Sequence, residues 1–432
     1  MAAEAALVLT ALAFALFAVT ALFPLATLYL VILHRAKKPT ALRSEATLLV
    51  APLASDDHLP DVVVQLPCFN EGAVIGRALR HAAALDWPRE RLHIQLLDDS
   101  TEPPHSDTLA TITAIRAMGI DLAVLHRTHR EAFKAGALRA GMEASPHRYF
   151  AILDADYVPE PDFLRRTMRG FAARPKPAFV QARFDYLNPA ENALTRVQRL
   201  LLDGHLGVEQ ATRSWAGHIL PFNGTCGIWD REAIEAAGGW SGDTLAEDLD
   251  LSYRAFRTGR RGIFLTQVAV KGELPADTRA WEAQQRRWTK GFGQVARTML
   301  PRLLVDRRLS LADRFAALLH LGMWWWLPVG VAAFVTGTLA ALLNAEARWP
   351  LALTAITVVA FGLVSTILML RAGNRLLRPG ETPLPVFLGD VGTMLRLGVG
   401  AVIGNLRATA EALVGRRSTF VRTPKTGGSA DP

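Results

Sequence analysis

The chain has 432 residues, 50% of them hydrophobic, and a formal net charge of +8. That length and apolarity exceed what one simple soluble domain needs, so membrane segments beside a globular domain are expected. The positive charge admits nucleic acid, an anionic membrane surface or phosphate-bearing small molecules as partners, and its placement along the chain must decide among them.

Residues 5–33 carry no charge and exceed the roughly 20 residues a helix needs to cross a hydrocarbon core. The positive residues Arg35, Lys37 and Lys38 come after the apolar run rather than before it. The pattern reads as a retained anchor over residues 1–38 rather than a cleaved leader, and the positive-inside rule places the chain beyond residue 38 in the cytoplasm. The two cysteines, Cys68 and Cys226, have no metal-ligand spacing and read as reduced thiols of a cytosolic compartment.

Residues 39–300 read as a cytoplasmic domain. Apolar runs of strand length, VVVQL (62–66), HIQLL (93–97), DLAVL (121–125), YFAIL (149–153) and AFVQA (178–182), alternate with helical stretches. That alternation predicts an α/β fold with a mostly parallel sheet wrapped by helices. Such sheets bind ligands outside the carboxyl ends of their strands. There the sequence places Pro67, Asn70 and Glu71 after the first strand, Asp98 and Asp99 after the second, and Asp154 and Asp156 after the fourth. Any one of these could be a helix cap or turn residue; three acidic rims together fit that reading less well.

The first strand is not followed by a glycine-rich fingerprint, which disfavours a redox cofactor or a kinase-type phosphate site. A hard cation on carboxylates, Mn2+ or Mg2+, is the natural substitute for holding phosphates. A D-x-D string arises by chance on the order of once in such a chain. In "YFAILDAD", however, the pair directly follows a buried strand, where an unpartnered carboxylate is costly, and metal binding is preferred to capping. Further on, "TLAEDLDLSYRAF" (244–256) supplies Glu247, Asp248 and Asp250. Asp250 fits a first-turn acid complementing the helix dipole, whereas Asp248 is the candidate for a general base that takes a proton from a sugar hydroxyl.

The carboxyl-terminal part, 301–415, holds two predicted spans, 316–343 and 350–370, whose basic flanks agree with the orientation of the anchor. Residues 384–415 are apolar but interrupted by Asp390, Arg396, Asn405, Arg407 and Glu411, and are too short for two crossings and a turn. An interfacial amphipathic helix is expected there, with a re-entrant hairpin as the alternative. Residues 416–432 form a basic tail, expected in the cytoplasm.

In chain order, PCFNE (67–71), DDS (98–100), FKAGAL (133–138), DAD (154–156), FNGTCG (222–227), AED (246–248) and QQRRW (284–288) resemble the motifs of the membrane-bound family-2 glycosyltransferases. Within that family the cellulose-synthase-like enzymes of mannan and glucan backbones are the nearest likeness. The resemblance implies a Rossmann-like, family-A nucleotide-sugar domain inserted between transmembrane helices. It implies that Asn70, Glu71 and Asp98 contact the nucleoside, that Lys134 meets the diphosphate, and that Asp156, with Asp154 beside it, holds the metal. Asp248 would be the base and Arg287 would neutralise the leaving diphosphate. Trp288 would stack on the acceptor, with Asn223, Gly224, Thr225, Glu247, Gln284 and Gln285 around it. The AED string keeps both carboxylates of the more usual Thr-Glu-Asp.

"FVRTPKTG" (420–427) resembles a gating loop at Phe420, Thr423 and Lys425, with Arg422 where a small apolar residue is usual. The function implied is an inverting, metal-dependent transfer of a hexose from UDP-glucose or GDP-mannose to a β-linked glucan or mannan, at the cytoplasmic face of an inner or plasma membrane. Transfer of a single sugar to a lipid, as by ceramide-glucosyltransferase-like enzymes, is the alternative, and a non-catalytic nucleotide-sugar-binding scaffold is a third. The partners expected are the donor, a glycan or lipid-linked acceptor, the bilayer and a second copy or channel partner, but not nucleic acid.

Overall fold

A computed structural model describes residues 2–173 and 175–416. Its centre is an eight-stranded sheet of β1 (Val62–Cys68), β2 (Leu92–Asp98), β3 (Asp121–His126), β4 (Tyr149–Ile152), β5 (Val158–Pro159), β6 (Phe179–Tyr186), β7 (Gly227–Asp230) and β8 (Gly262–Gly272), in the order β3-β2-β1-β4-β7-β6-β8-β5. The five predicted strands are all present. The neighbours β1–β2, β2–β3, β1–β4 and β6–β8 run parallel, while β7 is antiparallel to both β4 and β6. β7 escaped the sequence reading because its four residues, GIWD, are too short to show a period.

Val62, Val63 and Val64 are fully buried, as the unbroken apolar run of a strand covered on both faces should be. One polar pair lies within that core. Gln65 and Gln95, register partners in β1 and β2, join side chain to side chain at 3.0 Å, and Gln95 Nε2 also donates to Gly141 O at 2.9 Å. A Cβ at Gly141 would lie 2.5 Å from Gln65 Nε2, so glycine lets the helix Phe133–Glu143 close onto the two strands. That helix carries Lys134 in its first turn.

The amino-terminal helix, Ala2–Val50, runs past the expected end of the anchor at residue 38. Its last turns dock on β8: Glu45 accepts from Thr266 Oγ1 at 2.6 Å and from Gln267 N at 2.7 Å, and Leu48 and Leu49 pack on the main core. The membrane-length apolar segment and the domain therefore share one element. Beyond the domain lie the helices Thr278–Val305, Leu311–Gly322, Trp326–Leu343, Arg348–Leu377 and Leu384–Leu413. By length and composition, Ala3–Val50, Leu311–Leu343, Ala345–Leu377 and Leu384–Leu413 are each long and apolar enough to cross a membrane.

Leu384–Leu413 is one unbroken helix of 30 residues, so the hairpin alternative does not hold. Three of its five polar interruptions have partners on neighbouring elements: Asp390 accepts from Arg196 Nε at 3.2 Å, Asn405 from Thr289 Oγ1 at 3.4 Å, and Glu411 from Lys290 Nζ at 2.8 Å, whereas Arg396 and Arg407 are exposed and bond within the helix. Asp390, Asn405 and Glu411 thus lie on the face packed against neighbouring elements, while Val399 and Ile403 remain exposed.

Candidate active site

β4 ends at Ile152, and Tyr157 N donates to Asp154 O at 3.0 Å, closing a turn that holds both acids of the DAD string. Asp156 is 5% exposed. The FNGTCG loop lies along this end: Cys226 N donates to Ile152 O at 2.8 Å, and Asp154 N donates to Thr225 Oγ1 at 2.8 Å. Cys226 has a φ of 60°, a left-handed backbone that a non-glycine residue adopts only when its surroundings impose it.

Lys134 reaches the same point from its helix. Its ammonium is ion-paired with Asp154 and donates to Gly224 O at 3.0 Å. A Cβ at Gly224 would lie 3.3 Å from Asp248 Oδ2 and 3.7 Å from Lys134 Nζ. The glycine supplies the positive φ of its turn and leaves room between an acid and a base.

Arg287 arrives on the helix Thr278–Val305, which is pressed against the loop before Glu247. Gln294 Oε1 accepts from Leu245 N at 2.8 Å, and a Cβ at Gly291 would lie 3.0 Å from Ala246 Cβ. Residues 287, 291 and 294 occupy one face of the helix, so the seating of Gly291 and Gln294 turns Arg287 towards Glu247 and Asp248.

The charges share one field. Burial lowers the affinity of Arg287 for its proton, while Glu247, Asp154 and Asp248 act the other way. Burial also works against the Lys134 ammonium, but Asp154, Glu247 and Asp248 overcome it and hold it above the ordinary lysine range. Burial pushes Glu247 and Asp248 above the usual carboxylate range, and the charge of Glu247 raises Asp248 further. The half-buried Tyr157 and the buried Cys226 are raised first by desolvation, with the charges of Asp154 and Asp156 adding to it, which places both acids near them.

A family model described as glycosyl transferase family group 2 matches residues 149–369. The chain belongs to this family. Among curated relatives, probable glucomannan 4-beta-mannosyltransferase 7 of Oryza sativa subsp. japonica is 38% identical over 274 residues, which are 61% of this chain and 47% of that protein. Glucomannan 4-beta-mannosyltransferase 9 of Arabidopsis thaliana is 40% identical over 257 residues, 58% of this chain and 48% of that protein. The chain spans about half the length of these relatives. Among solved structures, the mannosyltransferase PcManGT from Pyrobaculum calidifontis, in complex with GDP-Man and Mn2+, is similar with a TM-score of 0.54 at 21% identity, covering 86% of this chain and 100% of that one. This likeness concerns the fold, a family-A glycosyltransferase sheet. The family-2 match opens at the first residue of β4, so it holds the DAD turn, FNGTCG, Glu247, Asp248 and Arg287 but not Lys134, Asn70 or Asp98.

In this family-2 glycosyltransferase the remaining sequence-predicted residues fall into two groups. Asn70 and Asp98 lie together at the ends of the neighbouring strands β1 and β2. Asn70, at φ 53°, accepts through Oδ1 from Thr101 N at 2.9 Å, and its own N–H donates to Ser100 Oγ at 2.8 Å. Asp98 accepts from Ser100 N at 3.0 Å and meets His126 Nδ1 at 3.1 Å. Glu71 is adjacent, since its charge acts on Cys68 and Arg130. On the acceptor side, Trp288 is 44% exposed, Gln284 and Gln285 are half-buried, and the Asn223 amide nitrogen is buried with no hydrogen-bond partner among the described residues. Phe420, Thr423 and Lys425 lie outside the described residues.

Two arginines escaped the sequence analysis. Arg127 forks onto the buried Asp99 at 2.7 and 2.6 Å and donates from the same guanidinium to Phe133 O at 2.9 Å. It thereby braces the left-handed pair Ala132 (φ 57°) and Phe133 (φ 47°) that launches the Lys134 helix. Arg130 stacks 3.5 Å from the centroid of the Phe69 ring. The signal was available in "HRTHRE" (126–131), a basic run at a strand's carboxyl end.

Asp154 and Asp156 fit a hard cation: two carboxylates on one turn, one of them buried, with the other positions left to phosphate oxygens. A different group with metal-ligand spacing, Asp61, His93 and His147, belongs to the opposite end of the sheet. β1 alone separates the two ends by roughly 20 Å.

Proposed function

We propose that the enzyme transfers a hexose, with inversion, from a nucleotide sugar to a β-linked polysaccharide, and that the donor is GDP-mannose, as the names of its glucomannan mannosyltransferase relatives favour. The observation that carries this reading is the convergence of Lys134, Asp154, Glu247, Asp248 and Arg287 beyond the carboxyl end of β4.

Asp248, its proton affinity raised by burial, takes the proton of the acceptor hydroxyl. As the acceptor oxygen bonds to the anomeric carbon from the face opposite the diphosphate, the bond to the diphosphate breaks and its electron pair leaves with the phosphate oxygen. Lys134 and the planar fork of Arg287 meet that charge in a buried setting, where it is worth most. A divalent cation held by Asp154 and Asp156 would add Lewis-acid neutralisation of the diphosphate. Asn70, Glu71 and Asp98 hold the nucleoside. Trp288 supports the acceptor ring, with Asn223, Gly224, Thr225, Glu247, Gln284 and Gln285 around it. The unpartnered Asn223 amide is a donor that an acceptor hydroxyl would satisfy. The domain faces the cytoplasm.

Asp248→Asn tests this. Transfer from radiolabelled GDP-mannose should fall by roughly 10²–10⁴-fold, with nucleotide affinity nearly unchanged by calorimetry. Full activity in the variant removes the base assignment, and product size by mass spectrometry separates polymer from a single-sugar glycolipid.

A further inference from the structure

The amino ends of β2, β1 and β4 meet at the edge of the sheet away from the acidic rim. Asp61 immediately precedes β1, His93 is the second residue of β2, and His147 lies two residues before β4. Because these strands are neighbours in parallel register, the three side chains come together: His93 Nε2 lies 3.0 Å and His147 Nδ1 3.9 Å from Asp61 Oδ1, and all three ligand atoms lie within 4.8 Å of one another. Around a tetrahedral cation with bonds of about 2.0–2.2 Å, ligand atoms stand about 3.3–3.5 Å apart. The observed separations bracket that value.

A further contact gives the cluster its direction. His93 Nδ1 lies 2.8 Å from Asp121 Oδ2, at the start of β3. An N–H donated there fixes the tautomer and leaves the Nε2 lone pair aimed at an oxygen of Asp61. Two acceptors at 3.0 Å repel unless a proton or a cation lies between them. The His147 ring is stacked on His93 with centroids 3.9 Å apart and an interplanar angle of 17°. That stacking holds the ring with Nδ1 3.9 Å from Asp61 Oδ1. Arg91, 3.9 Å from the other oxygen of Asp61, holds that carboxylate in place. The side chains of His93, His147 and Asp61 are 16%, 24% and 38% exposed, so a cation can enter from solvent and keep a water in its fourth position.

We infer that Asp61, His93 and His147 form a second metal site, separate from the cation of the transfer reaction, that takes a borderline divalent cation of the zinc class and staples the amino ends of three central strands. Two imidazoles and one carboxylate suit Zn2+ rather than the oxygen-seeking Mn2+ or Mg2+ expected at the acidic rim. Asp121 is the outer carboxylate that orients His93.

The test uses the full chain purified in detergent, equilibrated with Zn2+ in the presence of excess Mn2+, dialysed, and assayed for zinc by mass spectrometry. The wild type should retain a single equivalent of zinc and melt at a higher temperature with zinc than without. His147→Gln and Asp61→Asn should lose both the zinc and the thermal shift while keeping Mn2+-dependent transferase activity. Asp154→Asn combined with Asp156→Asn should keep the zinc, whatever happens to transfer. Co2+ as an optical probe should give an intense tetrahedral visible band in the wild type that is absent from His147→Gln. Equal zinc content and equal cobalt spectra in the wild type and His147→Gln overturn the site, as does a wild type that holds no zinc. His147 makes no ring hydrogen bond at an ordinary distance, so its replacement leaves the fold intact even if His93→Gln does not.

Discussion

Asp248 sits in a small electrostatic circuit. Its raised proton affinity arises first from burial and second from the charge of Glu247, with Lys134 opposing both. The acidic limb of kcat/KM should therefore lie above the ordinary carboxylate range, with activity lost as the pH falls through the raised value. Glu247→Gln removes the second cause, so the limb should move to lower pH; a limb that does not move contradicts the pairing. The stability sign is opposite. An acid whose folded pKa is raised favours the fold below its unfolded pKa, and that contribution is lost as pH rises through the folded value, so Asp248→Asn should melt at a higher temperature than the wild type near neutral pH. Arg287→Lys keeps the charge but not the fork, and a loss of about 10²-fold in kcat is expected with donor affinity little changed. These residues were legible because each stands in a recognisable string, AED at a helix start for Glu247 and Asp248 and QQRRW within a helix for Arg287. The sequence leaves Asp99 open between a turn residue and a member of the acidic rim, and only its fork with Arg127 reveals it as the brace of the Lys134 helix.

Individual elements deliver these side chains through close approaches that local sequence does not announce. The helix Thr278–Val305 can bring Arg287 to Glu247 only because Gly291 lets the backbone near Ala246. Gly291→Val should push that helix outward, and a displacement of about 1 Å is enough for a 10²-fold loss of kcat; single-turnover assays should show the loss in the chemical step with nucleotide binding retained. Arg127→Ala should leave the buried Asp99 with only the more distant Arg130, 3.9 Å away, and release the strained Ala132–Phe133 start. The donor KM should rise as Lys134 loses its position, together with a fall in melting temperature. Predicted strand positions were accurate where a run was apolar and bounded, as in β1; β5 and β7, of two and four residues, carry no period, and the eleven-residue β8 was missed as well. The polar interruptions of Leu384–Leu413 looked like breaks in a span. Asp390, Asn405 and Glu411 are its contacts with neighbouring elements, which a hydropathy pattern cannot distinguish because it does not know what lies alongside.

At the scale of the whole molecule, the amino-terminal helix couples a membrane-length segment to the sheet through Glu45 and Thr266. Glu45→Ala removes the acceptor of two hydrogen bonds and should cost about 2–4 kcal/mol, read as a lower melting temperature in detergent; an unchanged melting curve would mean that the anchor is joined to the domain only by the chain. By itself the sequence determined the α/β class, the central strands, the apolar spans and the strings in which the chemistry resides, because those depend on periods and neighbours a few residues apart. Only the tertiary structure decided that Lys134, Asp154, Asp248 and Arg287 share one cleft, that the anchor continues into the domain, and that Asp61, His93 and His147 meet at the opposite edge. Each of those depends on contacts between residues far apart in the chain, which form when whole elements pack and leave no mark on the local pattern of either partner.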